Sequence, residues 1–591
     1  MRVPRLSVPL LTQLPRAPFI SRRANALDPN ASPNASDARH PRENLDQARR
    51  LRRQRRLARH QRQRSPILAT GAAMRTAIRE TVFSRPIWRI GRAPVAPGSS
   101  TAPAADVVLE LPAGGSSARH ACPASEGGGA LGLSDAMPAP ALRRRVWALS
   151  APAIGEQLLS LGVGVSDTFL SGHLSSYASG VLGYGQATAV AAVGAAGMAT
   201  WIVLTSFFGV NVGVTALVAR ATGARDSKLA SRAAGQGILM GALIGLALVA
   251  IAVPLADLVT VALGVDGQVA SLAAQFIRVA SLGMPAAGVA SACTAAMRGA
   301  GDTRRPMLVM LLVNGVNVVA SWLLLNGDTR LGIRPIGVVG SAIGSATGWT
   351  LGAALAVYLL SRRHPLAPRL TRAALRADRR VAGRVLRIGL PSAAELIVFQ
   401  MGVLTFNRQV VQLGSTDYAA NITINTVESI GTLPAFGFSV AATALVGQSL
   451  GARSPRLAAR ATMAALWPCL ALMAGLGLLA LLVPQILLGL FVADPVVMHA
   501  GAMAQRISLI ILPASGAAFI FNGALRGAGD TKFPVIVRAA GSWGLRVPLA
   551  ALLIPTLGLP GGRVAMALDF ITQASLAYWR FRSGKWRKMR V

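Results

Sequence analysis

Charge is scarce in this chain. Asp, Glu, Lys and Arg make up 14% of its 591 residues, where soluble domains carry about a quarter. Acids are scarcest, at 23 against 60 Lys and Arg. Such a chain cannot cover an ordinary water-facing surface, which excludes a soluble main body. Aromatics reach only 5%, leaving few stacking faces; Trp201, Phe207, Phe208, Phe399, Phe436 and Trp543 are the candidates. Three cysteines (Cys122, Cys293 and Cys469) form no disulfide framework, and the last two lie in apolar runs as packing residues. There is no GxxxxGK[ST] and no HExxH; the one GxSxG, GQSLG at 447–451, closes the eighth apolar run without the strand-to-helix turn that motif needs, and the six histidines are scattered. Phosphate-loop and intramembrane hydrolytic chemistry are thereby set aside, and no catalytic residue, metal site or cofactor is expected. Lysine is absent from residues 1–140.

Hydrophobic residues are abundant, at 52%, with a mean hydropathy of +0.49. From Val146 onward the apolar runs come regularly, near 146–171, 184–218, 235–264, 272–297, 306–326 and 335–360. A second set lies near 388–412, 419–447, 463–492, 503–525, 533–556 and 561–580. Each reaches or exceeds the ~20 residues that span a bilayer. Two motifs recur at one spacing. MRGAGDTRRPM from Met297 returns as LRGAGDTKFPV from Leu525, and LVARATGAR from Leu217 returns as LVGQSLGAR from Leu445, both 228 residues on. Two unrelated motifs at one offset indicate an internal duplication. The expected fold is an all-α polytopic membrane protein of twelve transmembrane helices. Six spans per half give the halves the same orientation, as two six-helix lobes related by a pseudo-two-fold axis along the membrane normal.

The repeated turn reads as a basic connection between membrane helices. Gly299 and Gly301, with Gly527 and Gly529 in the second copy, are expected to supply positive φ. Asp302 and Asp530 suit the next helix N-cap, and Arg298 and Arg526 place charge at the membrane edge. Basic turns follow the even-numbered runs, and the tail RFRSGKWRKMRV is basic as well. By the positive-inside tendency both termini are cytoplasmic, in a multi-pass protein of the bacterial inner membrane.

Four segments are expected: an extension over 1–140, lobes at 141–365 and 388–591, and an amphipathic surface linker at 366–387. The extension contains ARRLRRQRRLARHQRQR from Ala48 and no spanning run. It reads as an RNA- or lipid-binding arm, an organellar transit peptide, or a disordered extension without a transport role, the last being preferred. Met137 opens MPAPALRRRVWALSAPAIGEQLL, which suits a membrane-protein start. A chain beginning there is expected to insert and transport.

Acids inside a membrane are functional candidates by default. Glu156 and Asp167 lie on the first run, Glu395 on the seventh, Glu428 on the eighth and Asp569 on the twelfth. Asn317 on the fifth and Asn407 on the seventh are polar partners. Glu156 and Glu395 each lie four residues after a proline, Pro152 and Pro391, and are 239 residues apart. Both stand near run ends, where a carboxylate can also serve to stabilise a helix terminus. Asp167 lies toward the opposite surface. Glu428 is deeper and without an evident partner, and Asp569 is a candidate ion-pair partner for Arg546.

Taken together, these motifs resemble the multidrug and toxic compound extrusion (MATE) family. The resemblance rests on VSDTFLSGHL in the first run, the two RGAGDT turns, ESxxxxPxxGFSxAATxLVGQxLGA in the eighth and WGLRVPLA in the eleventh. It covers about 141–585. It implies a secondary antiporter that expels organic, often cationic, compounds in exchange for H⁺ or Na⁺ by alternating access. It implies a lipid-embedded monomer with a small-molecule partner and no nucleic acid. By resemblance, Asp167 matches a first-helix acid used for proton coupling, and Asn317 matches the start of an NxxxD pattern whose acid is Ser321 here. Glu395 lies on the helix that carries a cation-binding glutamate in sodium-type members, but earlier along it. The tenth run has no acid. The other reading on this architecture is a flippase or exporter of a lipid-linked or polyanionic precursor, which requires a basic central cavity. The intramembrane charge, mainly acidic with Arg546 as the chief exception, favours cationic cargo.

Overall fold

The computed structural model describes residues 134–328, 330–362, 368–492 and 494–589. The basic extension, apart from 134–140, lies outside the described residues, as does Cys122. Twelve apolar spans make up the described protein. They are α1 (Ala139–Gly172), α2 (Gln186–Gly223), α3 (Ser227–Ala262), α4 (267–299), α5 (Arg304–Asn326), α6 (Val338–Ser361), α7 (Arg379–Val411), α8 (Ser415–Gly451), α9 (Pro455–Leu482), α10 (Ser508–Gly527), α11 (532–557) and α12 (559–582). Helix α4 is bent by 51° between Ser281 and Met284. Helices α11 and α12 run on without a loop, but Gly558 breaks them with φ 63° and ψ −146°. That break restores the twelve-span count in a stretch of 51 continuous helical residues.

Each half builds its own core. One cluster joins α2, α3, α4, α5 and α6 through residues such as Val214, Leu217, Ile238, Met297, Val309 and Leu360. Its counterpart joins α8, α9, α10 and α12 around Phe438, Leu445, Leu466, Ile520 and Phe581. The first helix of each half crosses over. Leu142, Val146 and Leu149 of α1 are buried in the second half's core. Val381 and Val385 of α7 are buried in the first half's core. The two lobes are therefore strapped together by the starts of their own first helices.

At the end of the bundle that carries the repeated turns, α2 and α8 touch backbone to backbone. A Cβ on Gly223 would stand 2.0 Å from the Gln448 carbonyl oxygen, and one on Gly451 would stand 2.2 Å from that of Arg220. The two glycines are the same position of the two repeats, so the crossing is nearly self-symmetric. The Gln448 side chain extends the contact by donating from Nε2 to the Gly299 carbonyl at 2.9 Å.

The repeated turns agree in backbone. Gly301 has φ 87° and Gly529 has φ 84°. In each, the amide three residues past the helix reaches back, Asp302 to the Met297 carbonyl and Asp530 to that of Leu525, both at 2.9 Å. This is a Schellman-type ending, for which glycine in the left-handed region is favoured. Gly299 and Gly527 play a different part from the one expected. They are helical, without positive φ, and are needed for close packing: a Cβ would stand 2.6 Å from the Thr215 carbonyl oxygen and 2.2 Å from that of Thr443, respectively. The Asp302 side chain accepts from the Arg305 amide at 3.2 Å and so caps α5, while Asp530 instead receives Arg580 of α12 at 2.8 Å.

The described part of the linker, from residue 368, is held against α3. Ser231 donates to the Arg369 carbonyl at 2.8 Å, and Gln236 donates to that of Arg376 at 2.7 Å. A 3-10 turn at Arg372–Leu375 leads into α7. At the other terminus, Asp135 accepts from the Leu457 amide at 3.0 Å and caps α9 from outside the helix, where Ser454 makes no side-chain cap. Arg460 adds bonds to the carbonyls of Asp135 at 2.9 Å and Met137 at 2.7 Å.

Two predictions follow from these local contacts. Gly301→Val and Gly529→Val should each lower stability by about 1–2 kcal/mol, the cost of a side chain in the left-handed region. Gly180→Ala, with nothing within 4 Å of its would-be Cβ, serves as the control. Unchanged melting of both valine variants in detergent would remove the claim that these glycines are required. Asp135→Ala, or a chain starting at Met137, should insert normally yet lose about 1 kcal/mol through the missing cap. Melting indistinguishable from the full chain would show the cap to be idle.

Candidate functional site

Seven carboxylates are buried among the described residues: Glu156, Asp167, Asp302, Glu395, Glu428, Asp530 and Asp569. Burying a charge in a membrane interior requires a partner. Six of the seven have an arginine. Glu156 of α1 meets Arg298 of α4 at 2.6 Å. Glu395 of α7 meets Arg526 of α10 at 2.7 Å, with Arg538 of α11 at 3.5 Å. Glu428 of α8 meets Arg563 of α12 at 3.0 Å, and Asp569 of α12 pairs with Arg546 of α11. Asp302 and Asp530 meet Arg305 and Arg580.

The first two pairs are repeat equivalents. Arg298 and Arg526 are the first arginines of the duplicated turns, and each reaches the glutamate that follows a proline in the first helix of its own half. Glu156 and Glu395 thus occupy matching positions despite an offset of 239 residues against 228 for the turns. Arg526 also lies 5.6 Å from the centre of the Phe208 ring in the other half.

The Arg546–Asp569 pair sits beside a π-helical turn, Ala539–Arg546, which widens α11. Gln573 donates to Asp569 at 2.5 Å and accepts from Arg538 at 2.7 Å. Phe399 lies against both guanidiniums, 4.5 Å from Arg538 and 5.8 Å from Arg546. The interior of the second half therefore carries Arg538, Arg546 and Arg563, all buried. The expectation of a mainly acidic interior with Arg546 as chief exception is corrected here, as is that of a Glu428 without a partner. Asn407 donates nothing to an acid; it accepts from Asn421 at 3.3 Å, and the Asn421 carbonyl accepts from Arg563.

Asp167 is the exception. No arginine or lysine among the described residues pairs with it. Its carboxylate, 5% exposed, lies in a cradle of neutral donors. Oδ1 accepts from Ser341 at 2.7 Å, Asn317 at 3.1 Å and Ser321 at 3.4 Å, and Oδ2 accepts from Ser345 at 2.8 Å. Asn317 and Ser321 are one turn apart on α5, as are Ser341 and Ser345 on α6. The cradle forms because α6 presents Gly344 and Gly348 to α5, where Cβ atoms would stand 2.2 Å from Ser321 Oγ and 2.7 Å from the Val313 carbonyl oxygen. Asn317 Oδ1 is buried and has no hydrogen-bond partner. Carboxylate and hydroxyl oxygens, with the Asn317 amide nitrogen, thus gather at one point that no described arginine or lysine neutralises. Such a set accepts a proton or a small hard cation.

On another face of α1, with Asp167 not among its lining residues, a groove of about 520 Å³ is lined by Ser160, Leu161, Gly164, Val165, Thr168, Phe169 and Trp201. Trp201 gives it an aromatic wall. Of the other aromatic candidates, Phe207 is core, Phe436 packs on Phe519 at 4.4 Å and Trp543 donates to the Val398 carbonyl at 3.1 Å. Ser341, Ser345, Arg538 and Arg563 were not singled out from the sequence. The SxxxS spacing at Ser341 and Ser345 was the available signal for the first two.

The MatE family model matches residues 152–323 and 391–552, one match in each half. The chain belongs to the MatE family. The family is one of multidrug efflux transporters, and this chain is a multi-pass membrane member of it. The probable multidrug resistance protein NorM of Thermotoga maritima is 30% identical over 456 residues, covering 76% of this chain and 95% of that protein. The uncharacterised transporter YisQ of Bacillus subtilis is 24% identical, covering 75% of this chain and 94% of that protein. Among solved structures, a MATE protein in a bent conformation superposes with a TM-score of 0.68 at 20% identity, covering 76% of this chain and 98% of that one. A MATE transporter of the MOP superfamily in an outward-facing conformation gives 0.67 at 20% identity, with 76% and 97% covered. These structures share the fold. Each of these four covers 75–76% of this chain and 94–98% of the relative.

The pairing of Glu156 with Arg298 generates a test. Glu156→Gln leaves a mostly buried guanidinium unmatched and should cost on the order of 3 kcal/mol. Adding Arg298→Met should recover at least half of that loss, a coupling read from melting of the four species of the double-mutant cycle. Strict additivity would show that the pair does not hold α1 to α4.

Proposed function

We propose that this chain is a secondary antiporter that exports small organic compounds, cationic ones among them, in exchange for H⁺ or Na⁺, and that Asp167 carries the exchange. The observation behind this is that Asp167, alone of the buried carboxylates among the described residues, has no arginine and is set in a cradle drawn from α5 and α6. A charge that the protein leaves unmatched is one that a mobile ion can match. The relatives named for multidrug resistance favour an exporter over a flippase of polyanionic precursors.

The mechanism requires two lobes, 141–365 and 388–591, joined by 366–387. With the basic turns on the cytoplasmic side, the contact of α2 with α8 closes that side, and both termini lie there. Ionised Asp167 holds α1 to α5 and α6 through its four acceptor bonds. A bound proton or Na⁺ removes the charge and redistributes those bonds, which alters how α1 packs. Only a difference in affinity between the two packings can drive the exchange. Cargo that competes for Asp167, or prefers the ion-free packing, is expelled as the ion enters. An organic cation would gain from the carboxylate, and from the Trp201 ring where it enters the groove on the other face of α1.

Asp167→Asn preserves shape and most hydrogen bonds but cannot exchange a charge. Ethidium efflux from proteoliposomes driven by a Na⁺ or a proton gradient should fall at least ~10-fold, the usual scale for loss of an essential group worth 1.4 kcal/mol or more. Protein should reach the membrane as before, since removing a buried charge lowers its insertion cost. Full efflux by this variant under both gradients, at matched protein level, would overturn the assignment.

A further inference from the structure

We infer that Arg563 is a tethered cation that permanently fills a cation site of the second lobe, so that Glu428 exchanges no ion. The site is built of oxygens. Arg563 Nη1 donates to Glu428 Oε2 at 3.0 Å, and Nη2 donates to Asn425 Oδ1 at 3.0 Å and to the Asn421 carbonyl at 3.3 Å. Ser508 closes the far side by donating to Glu428 Oε1 at 2.6 Å. The guanidinium is fully buried, and its Nε has no partner. A carboxylate, an amide oxygen, a backbone carbonyl and a nearby hydroxyl are what a small hard cation requires.

The duplication shows what has changed. Gly337, which precedes α6, has φ 68° and ψ −139°, and Gly558, which precedes α12, has φ 63° and ψ −146°. Aligned on these two glycines, Gly340 corresponds to Gly561 and Ala342 to Arg563. The same turn of the sixth helix that brings Ser341 to Asp167 in the first lobe brings Arg563 to Glu428 in the second. The first helices differ too. Carried by the 239-residue spacing of Glu156 and Glu395, Asp167 corresponds to Phe406, which is buried core. One lobe therefore offers an acid with neutral donors, and the other an acid that already holds its cation.

This inference rests on the reading of Asp167 as the exchanging group, and it is tested so that the two can fail separately. Binding is read first, without transport. Purified Asp167→Asn protein and the Asp167→Asn/Arg563→Gln double variant are melted in detergent at pH 8, in NaCl or in choline chloride of equal strength. Removing the tether should open the site: the Arg563→Gln member should gain roughly 3 °C or more in Na⁺, and its parent should gain nothing. Equal behaviour of the two in both salts overturns the inference. Because Arg563→Gln alone leaves Glu428 buried and unpaired, a second variant guards against simple misfolding. Glu428→Gln/Arg563→Gln removes both charges and keeps the shape. It should fold, and should retain gradient-driven ethidium efflux within about threefold of the native chain, with unchanged preference between Na⁺ and H⁺. A loss of ~10-fold or more in that variant, at native melting temperature, would place Glu428 in the exchange and overturn the inference. Retained coupling in Asp167→Asn would sink the Asp167 reading and leave the Na⁺ melting comparison standing.

Discussion

A carboxylate drawn out of water must be met by a positive charge, or by donors and an exchangeable ion. Nearly everything that positions helices in this protein follows from that demand. Each buried acid selects a neighbour: Glu156 ties α1 to α4, Glu395 ties α7 to α10 and α11, Glu428 ties α8 to α12, and Asp569 ties α12 to α11. Packing between apolar helices in lipid has little hydrophobic drive, so small residues and polar contacts determine which faces meet. The glycine contacts at Gly223, Gly451, Gly299 and Gly527 supply the approach, and the ion pairs supply the register.

The duplicated frame explains why pairs come in matched positions. Thr215 of α2 donates to the Ala295 carbonyl at 3.1 Å, and Thr443 of α8 donates to the Gly523 carbonyl at 2.9 Å. Both residues of the first bond are 228 residues before those of the second. The same frame holds the Glu156–Arg298 and Glu395–Arg526 pairs at the turn-bearing end. Equivalence is lost further along the helices, where the first lobe has Asp167 among hydroxyls and the second has Glu428 with Arg563. The ends have kept the inherited architecture, and the interiors have diverged.

The spans, the duplication and the repeated turns could be read from the chain because each is a local pattern. Hydropathy needs about twenty consecutive residues, and the RGAGDT turn needs six. Partners could not be read that way. Arg563 lies 135 residues beyond Glu428, and Arg298 lies 142 beyond Glu156, so only the assembled bundle brings them together. Arg563 was further hidden by its setting: it stands two residues into the twelfth run, just after Gly561–Gly562, where a basic side chain can reach the membrane edge. Gly299 and Gly527 were misread as turn formers for a related reason. A glycine near a turn looks local, whereas the backbone that excludes a Cβ at these positions belongs to another helix. The cradle serines escaped notice because a hydroxyl on a membrane helix usually bonds within its own helix, as Thr350 does to the Ala346 carbonyl at 2.7 Å.

The asymmetry between lobes bears on energetics. If Asp167 is the one exchangeable charge and Glu428 is held by Arg563, a cycle carries one monovalent cation inward and one cationic cargo outward. That exchange moves no net charge, so the membrane potential contributes nothing to it. The drive is then the concentration ratio of the ion alone, about 1.4 kcal/mol for each tenfold. A tenfold ion gradient can sustain at most a tenfold gradient of a monovalent cargo. A neutral cargo would import one charge per cycle and add the potential, about 2.3 kcal/mol per 100 mV. A lobe with a second free carboxylate would raise both limits, but it would also have to neutralise two buried charges before each change of packing. On that reading, filling one site with a guanidinium would remove the second requirement and would leave a single protonation or ion-binding event to decide which side of the membrane the cavity faces.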